Sequence, residues 1–287
     1  MKAQFDNQVM SSFLLWFDHT LLDKGEAYQN TTGQFYSVSD DYYGYDTYAS
    51  SYSQFVADAS ITGATIPTGL YAGNTLVNVG EGASSGLYAI DYGNGRSYWS
   101  GTQSNNVTGS FAIKDFNVYL TSRTEDEILF QSQYTNRNKI SSVVPTGLEQ
   151  DTLTYPVVYI KNDGSNNEPF AFGGQDNTII NVRAIVIADS QFDIDAIGSL
   201  FRDRRFDQIG ILDPSEMPFN QFGYYRNSQY DYTGIVNGKG SDQQLYVEDV
   251  NISRFDRVLE NEVRKFNPNV YSTLIDFEVT KIRTPRQ

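Results

Sequence analysis

Residues 178–188 read TIINVRAIVIA, and residues 189–204 read DSQFDIDAIGSLFRDR. The first run, Thr178 to Ala188, is dense in β-branched residues and predicts a long strand. Asp189 or Ser190 is placed to cap a helix from Gln191 to about Arg204. Phe192, Ile194, Ile197, Leu200 and Phe201 give that helix a stripe to bury, and Ile209 to Leu212 follows as a further strand. A helix with one apolar stripe, set between two strands, has to cover a sheet.

Toward the C-terminus, residues 213–243 form a long polar and aromatic excursion that includes Phe219, Phe222, Tyr224, Tyr225 and Tyr230. Those rings are more aromatic surface than a loop buries by itself, and a loop of this length usually serves a purpose. Strands are expected from Leu245 to Arg254 and from Val270 to Ile282. In the latter, Ile275, Phe277 and Val279 alternate with Asp276 and Glu278, so one face is buried. The end, with Arg283 and Arg286, is basic in an otherwise acidic chain and suits a neighbour's carboxylates. Toward the N-terminus, Thr154 to Ile160 reads as a strand, Asn162 to Asn167 as a turn, and Phe172-Gly173-Gly174 as a bulge or turn.

The first half differs. Residues 11–25 predict a short helix with Ser11 or Ser12 as cap, Gly25 beyond its end, and Phe13, Trp16, Phe17 and Leu21 on one face. That face suits either the chain's own core or a neighbouring subunit. Residues 28–60 are rich in Tyr, Ser, Asp and Gly and read as an extended segment with aromatic anchors, or as a long loop over the core. Residues 61–120 suggest a small antiparallel unit with turns at Ala72-Gly73-Asn74 and Gly93-Asn94-Gly95. Its third strand starts at Val107 and runs on to Leu120; Ile128 to Phe130 is a further strand. The expected class is α+β and β-rich: a small antiparallel β unit, a mixed sheet with a packed helix, and a short N-terminal helix. The expected division is an N-terminal helix and extended Tyr-rich arm over 1–60, the antiparallel β unit over 61–150, and an α+β domain over 151–287.

Composition narrows the chemistry. A net charge of −14 disfavours general binding to nucleic acid or to an anionic membrane, because both need Lys and Arg. With no Cys, thiol catalysis and disulfides are excluded. His19 is the single histidine, so a Ser-His-Asp enzyme would have to use it. Asp163 to Glu168 has oxygen ligands at roughly calcium-loop spacing but lacks the full pattern, and turn residues look the same. Arg202, Arg204 and Arg205 suit the negative end of the preceding helix. Neither a phosphate loop nor a nucleophile elbow is present. The expectation is a non-enzyme without cofactor or metal.

Two stretches carry a resemblance. The hairpin Ile90 to Trp99 (IDYGNGRSYW), with Val107 to Phe111 and Lys114-Asp115-Phe116, resembles a β module of tailed-phage virion proteins. Glu168 to Gly174, Ile185 to Phe201, Met217 to Asn220 and the opening Phe13 to Phe17 with Leu21 to Ala27 resemble structural proteins of long-tailed phages. The resemblance implies a virion protein assembled in the host cytoplasm, forming a homo-oligomeric ring at the neck or tail end, as a head-tail connector or tail terminator. Its partners would be copies of itself and proteins of the neck, tail tube or sheath, with DNA only in transit and no membrane. The Tyr-rich β unit departs from a minimal terminator and keeps baseplate, collar or fibre attachment open; a carbohydrate-binding β protein is the third alternative. Phe13, Trp16, Phe17, Phe219, Phe222, Tyr224, Tyr225, Arg283 and Arg286 are the expected interface residues.

Overall fold

A computed structural model describes residues 5–80, 86–128, 156–171, 174–218, 229–254 and 271–284. The protein is β-rich, with two sheets and few helices. In chain order the elements are α1 (Phe5–Asp23), β1 (Tyr28–Tyr42), β2 (Tyr45–Ser50), β3 (Gly69–Ala72), β4 (Thr75–Asn78), β5 (Leu87–Asp91), β6 (Arg96–Trp99), β7 (Val107–Lys114) and β8 (Asn117–Leu120). There follow β9 (Val157–Ala171), β10 (Gln175–Ala188), α2 (Gln191–Arg202), β11 (Gln208–Gly210), α3 (Tyr232–Val236), β12 (Gln244–Ser253) and β13 (Tyr271–Arg283).

The first sheet has the order β4-β3-β7-β1-β2-β6-β5, and its pairings are antiparallel. The Tyr-rich segment is therefore not an arm. β1 lies in the middle of the sheet, paired with β7 over its first half and with β2 over its second. Backbone pairing with β7 and then with β2 holds this polar strand in place; among its described side chains only Phe35 is nearly completely buried. The expected hairpins at Gly73-Asn74 and Gly93 to Gly95 are present, with Gly73 and Gly95 at positive φ.

The second sheet has the order β11-β12-β13-β10-β9-β8 and is mixed, because β8 runs parallel to β9. The strand from Val107 does not continue to Leu120. It breaks at Asp115-Phe116, where the chain crosses from one sheet to the other. The expected turn at Asn162 to Asn167 is instead part of β9. A bulge at Asp163 shifts the register, pairing Asn181 with Gly164 and Val182 with Asn162. Asn-Asp-Gly clusters are turn residues locally, but thirteen paired positions along β10 override that preference.

α2 starts as expected: the Ser190 hydroxyl accepts from the Phe192 N–H. Ile194, Ile197 and Phe201 are buried, whereas Phe192 is exposed. α1 begins earlier than its serines suggest, and Ser12 is internal. Its hydroxyl donates to the Gln8 carbonyl and accepts from the Leu212 N–H. α1 is buried on two sides, as a helix between layers must be. Phe13, Trp16 and Phe17 pack against Phe201 and Phe277 of the second sheet's layer, with Phe17 stacked on Phe201 at 4.0 Å. Leu22, by contrast, packs with Val56, Ile61 and Ala112 on the side of the first sheet.

Candidate functional site

β1 and β2 are joined by the two-residue turn Tyr43-Gly44, since Tyr42 pairs directly with Tyr45. Both turn residues have positive φ, +53° at Tyr43 and +84° at Gly44. This is the hairpin turn whose twist matches the flanking strands, and it favours Asn-Gly at these positions. A tyrosine there adopts a backbone that L side chains avoid. The tip projects: a Cβ added to Gly44 would meet nothing within 4 Å, and Tyr43 is 89% exposed.

Four further tyrosines gather behind the tip. Tyr42 stacks on Tyr98 at 4.1 Å, Tyr45 stacks on Tyr88 at 4.1 Å, and Tyr43 meets Tyr42 edge-on. Each stack covers one face of each ring with another, so the pairs brace one another. The Tyr98 hydroxyl donates to Asp91 at 3.3 Å; burial, and then the Asp91 charge, push its ionisation upward. The open ring is Tyr43, on a projection and not in a groove.

A second exposed aromatic has the same backbone feature. Phe206, just after α2, has φ +72° and is 69% exposed. Its N–H donates to the Val247 carbonyl at 2.8 Å, which pins the turn to β12. The Arg205 guanidinium lies 4.8 Å from the centre of its ring, while its Nε donates to the Glu248 carbonyl. Arg202 and Arg204 lie at the same C-terminal end of α2, where cations complement the helix dipole; Arg204 pairs with Asp207 and Arg205 with Asp249.

Among the expected interface residues, Phe13, Trp16 and Phe17 are at most 4% exposed and belong to the chain's own core. They present no surface to a neighbour, because α2 and β13 already cover that face of α1. Arg283 is held within the chain, donating to Thr178 Oγ1 at 2.7 Å and lying over Phe5. Phe219, Phe222, Tyr224, Tyr225 and Arg286 lie outside the described residues, as do Leu129 and Phe130 of the strand expected from Ile128; residues 125–128 form a helical turn.

His19 has a structural setting. Its Nδ1 is 2.7 Å from Asp58 Oδ2, and its ring packs on Tyr232. Asp58 is completely buried and also accepts from the Ser60 N–H, the Ser60 hydroxyl and the Tyr232 N–H. Burial alone would raise its pKa; the hydrogen bonds from His19, Ser60 and Tyr232 outweigh that and hold the carboxyl below the usual carboxylate range. A nucleophilic relay needs the hydroxyl on the imidazole. Here the Ser60 hydroxyl is on the carboxylate, so the network ties α1 to the segment after β2 and to α3.

The outer face of the second sheet carries a polar cleft of about 280 Å³ lined by Asp163, Asn181, Arg183, Asp249, Asp276 and Glu278, among others. Arg183 bonds Asp276 and Glu125 and faces Asp163, which also pairs with Lys161. The Asp163 segment, whose spacing only roughly matches a calcium loop, thus faces cationic side chains. Among the described residues no group of His, Cys, Asp and Glu is placed to hold a metal, and no helix is long and apolar enough to cross a membrane. The sequence matches no protein-family model and no curated protein.

Proposed function

We propose that this chain is a structural component of a tailed-phage virion, forming a ring at the neck or tail end that joins head and tail. Its work is assembly, not catalysis. One observation carries the assembly reading: two exposed aromatics stand on strained backbone, Tyr43 at a turn of the first sheet and Phe206 in the turn leading into the second. Left-handed backbone at a non-glycine residue costs about 1–3 kcal/mol and concentrates where a surface is used. Cyclic closure requires two different patches on each subunit, and these two lie on different parts of the chain. The resemblance of Ile90 to Trp99 and Ile185 to Phe201 to phage virion proteins supplies the setting. Partners would be copies of the chain and proteins of the neck, tube or sheath, in the virion, with DNA passing through the ring.

Baseplate, collar or fibre attachment is the alternative within the same class. Carbohydrate binding is less favoured, because the clustered tyrosines stack on one another and the open ring stands on a tip. Negative-stain imaging of the purified protein and cryo-electron microscopy of the particle test the proposal. Closed rings at the head–tail junction support it; isolated copies without contact to a neighbouring copy overturn it.

A further inference from the structure

We propose that Asn237 deamidates spontaneously, so that the turn ahead of β12 becomes a site of aspartate and isoaspartate as the protein ages. The chain has two Asn-Gly steps, Asn94-Gly95 and Asn237-Gly238. Asparagine is thermolabile because the next backbone nitrogen can attack its side-chain carbonyl carbon, and a following glycine puts no Cβ in the way. The fold treats the two steps differently. Asn94 donates from Nδ2 to Asp91 Oδ2 at 2.8 Å and from its N–H to Asp91 Oδ1 at 3.2 Å. Gly95 is buried, and its carbonyl accepts from the Ser50 N–H. At the second step both residues are exposed, and a Cβ on Gly238 would meet nothing within 4 Å. Among the described residues neither the Asn237 carboxamide nor the Gly238 N–H has a hydrogen-bond partner.

Val236 to Lys239 form a type II turn. The Lys239 N–H donates to the Val236 carbonyl at 3.1 Å, Asn237 has φ −62° and ψ 121°, and Gly238 has φ +98°. Ring closure requires the Asn237–Gly238 peptide plane to rotate, and a glycine in open space lets it do so. The Gly238 nitrogen gives its proton to hydroxide and bonds to Asn237 Cγ. The Cγ–Nδ2 bond breaks, and the amide leaves as ammonia with a proton from water. A water molecule then opens the cyclic imide. Opening at Cγ leaves aspartate; opening at the main-chain carbonyl leaves isoaspartate, whose main chain runs through Cβ and Cγ. Nothing is oxidised or reduced, and one water is consumed for each ammonia released. Either product adds a negative charge to a chain that carries −14. Isoaspartate also lengthens the main chain inside a turn that is anchored at both ends. Val236 lies 3.0 Å from where a Gly210 Cβ would stand on β11, while Lys239 pairs with Glu216 and its carbonyl accepts from Gln244 at the start of β12. A longer turn pulls these anchors apart.

The test incubates the folded full-length chain at mildly alkaline pH, where the Gly238 nitrogen loses its proton more readily. Peptide mass spectrometry then locates the products, and isoaspartyl methyltransferase labelling marks isoaspartate. Asn237 should convert roughly tenfold or more ahead of Asn94, which has to break its bonds to Asp91 before it reacts. In urea the two steps should convert at similar rates, because neither keeps its setting. Asn237→Gln should remove most of the acidic species seen on ion exchange and leave the melting temperature unchanged. Aged wild type should melt lower than fresh, while fresh Asn237→Asp, with the same added charge and an intact turn, should melt as the wild type does. Conversion of Asn94 first, equal rates in the folded chain, or no conversion at Asn237 overturns the site. Conversion at Asn237 with an unchanged melting temperature overturns the loosening of the turn. Neither result bears on the ring reading.

Discussion

The Lys114 ammonium meets both oxygens of the Asp18 carboxylate, at 2.8 and 2.7 Å, with each side chain nearly sealed from water. The pair bolts β7 of the first sheet to the middle of α1. Two charges taken out of water are stabilising only as a pair. Asp18→Ala should therefore lower stability by about 3–5 kcal/mol, because it takes the carboxylate away from a buried ammonium. The apolar double variant Asp18→Leu/Lys114→Met should range from neutral to about 1–4 kcal/mol more stable. Urea unfolding of the wild type and the two variants checks the ordering.

Asp58 makes stability depend on acid. Its folded pKa lies below the ordinary 3.8, so its contribution is fully present above that value and is lost as the pH falls through the folded pKa. Thermal melts between roughly pH 5 and 2 should show a steep acid limb. Asp58→Asn should flatten it and lower stability at neutral pH, because the amide answers fewer of the donors from His19, Ser60 and Tyr232. An unchanged acid limb in the variant would show that other carboxylates set it.

Gly95 closes the hairpin between β5 and β6 with φ +63°, and a Cβ there would sit 1.9 Å from the Tyr52 carbonyl oxygen. Gly95→Ala should cost at least about 1–3 kcal/mol, since both the backbone and the neighbour must move. Gly44→Ala, at the same kind of φ but in open space, should cost less. Comparing the two by calorimetry separates the clash from the strain.

Removing residues 1–27 should abolish folding, since α1 supplies the middle layer between the sheets. Circular dichroism would show lost tertiary signal. A gentler probe, Phe201→Ala, should cost about 3–5 kcal/mol by emptying the site on which Phe17 stacks. A folded truncated chain would mean that the sheets close on each other without the helix.

Parts of the fold were legible because local chemistry and tertiary structure agree. Ser190 caps α2, Ile275, Phe277 and Val279 line one face of β13, and Gly73 and Gly95 mark their turns. Other parts were not. Besides its tyrosines β1 has only Phe35 and Val38 as apolar side chains, so no alternation betrays a central strand; what holds it is backbone pairing, with β7 over its first half and β2 over its second. β9 contains turn residues from Asn162 to Asn167, and only its length of partner strand overrides them. The aromatic tip was hidden because Tyr-Gly is not a hairpin signal. His19–Asp58 and Lys114–Asp18 join residues far apart in the chain, and spacing says nothing of such pairs. The apolar face of α1 was visible, but choosing its own core over a neighbour required Phe201 and Phe277 to be seen against it.

The contact between Phe13 and Phe277 also has a schedule. Helix α1 is made before β13, with 264 positions between Phe13 and Phe277. At about 5–20 residues per second, the ribosome leaves that aromatic face without its partner for on the order of tens of seconds. Until α2 is made the helix lacks the Phe201 part of its cover, and until β13 is made it lacks Phe277. A holdase that shields the nascent helix should raise the yield of folded protein, and a stalled chain lacking β13 should aggregate through its first helix.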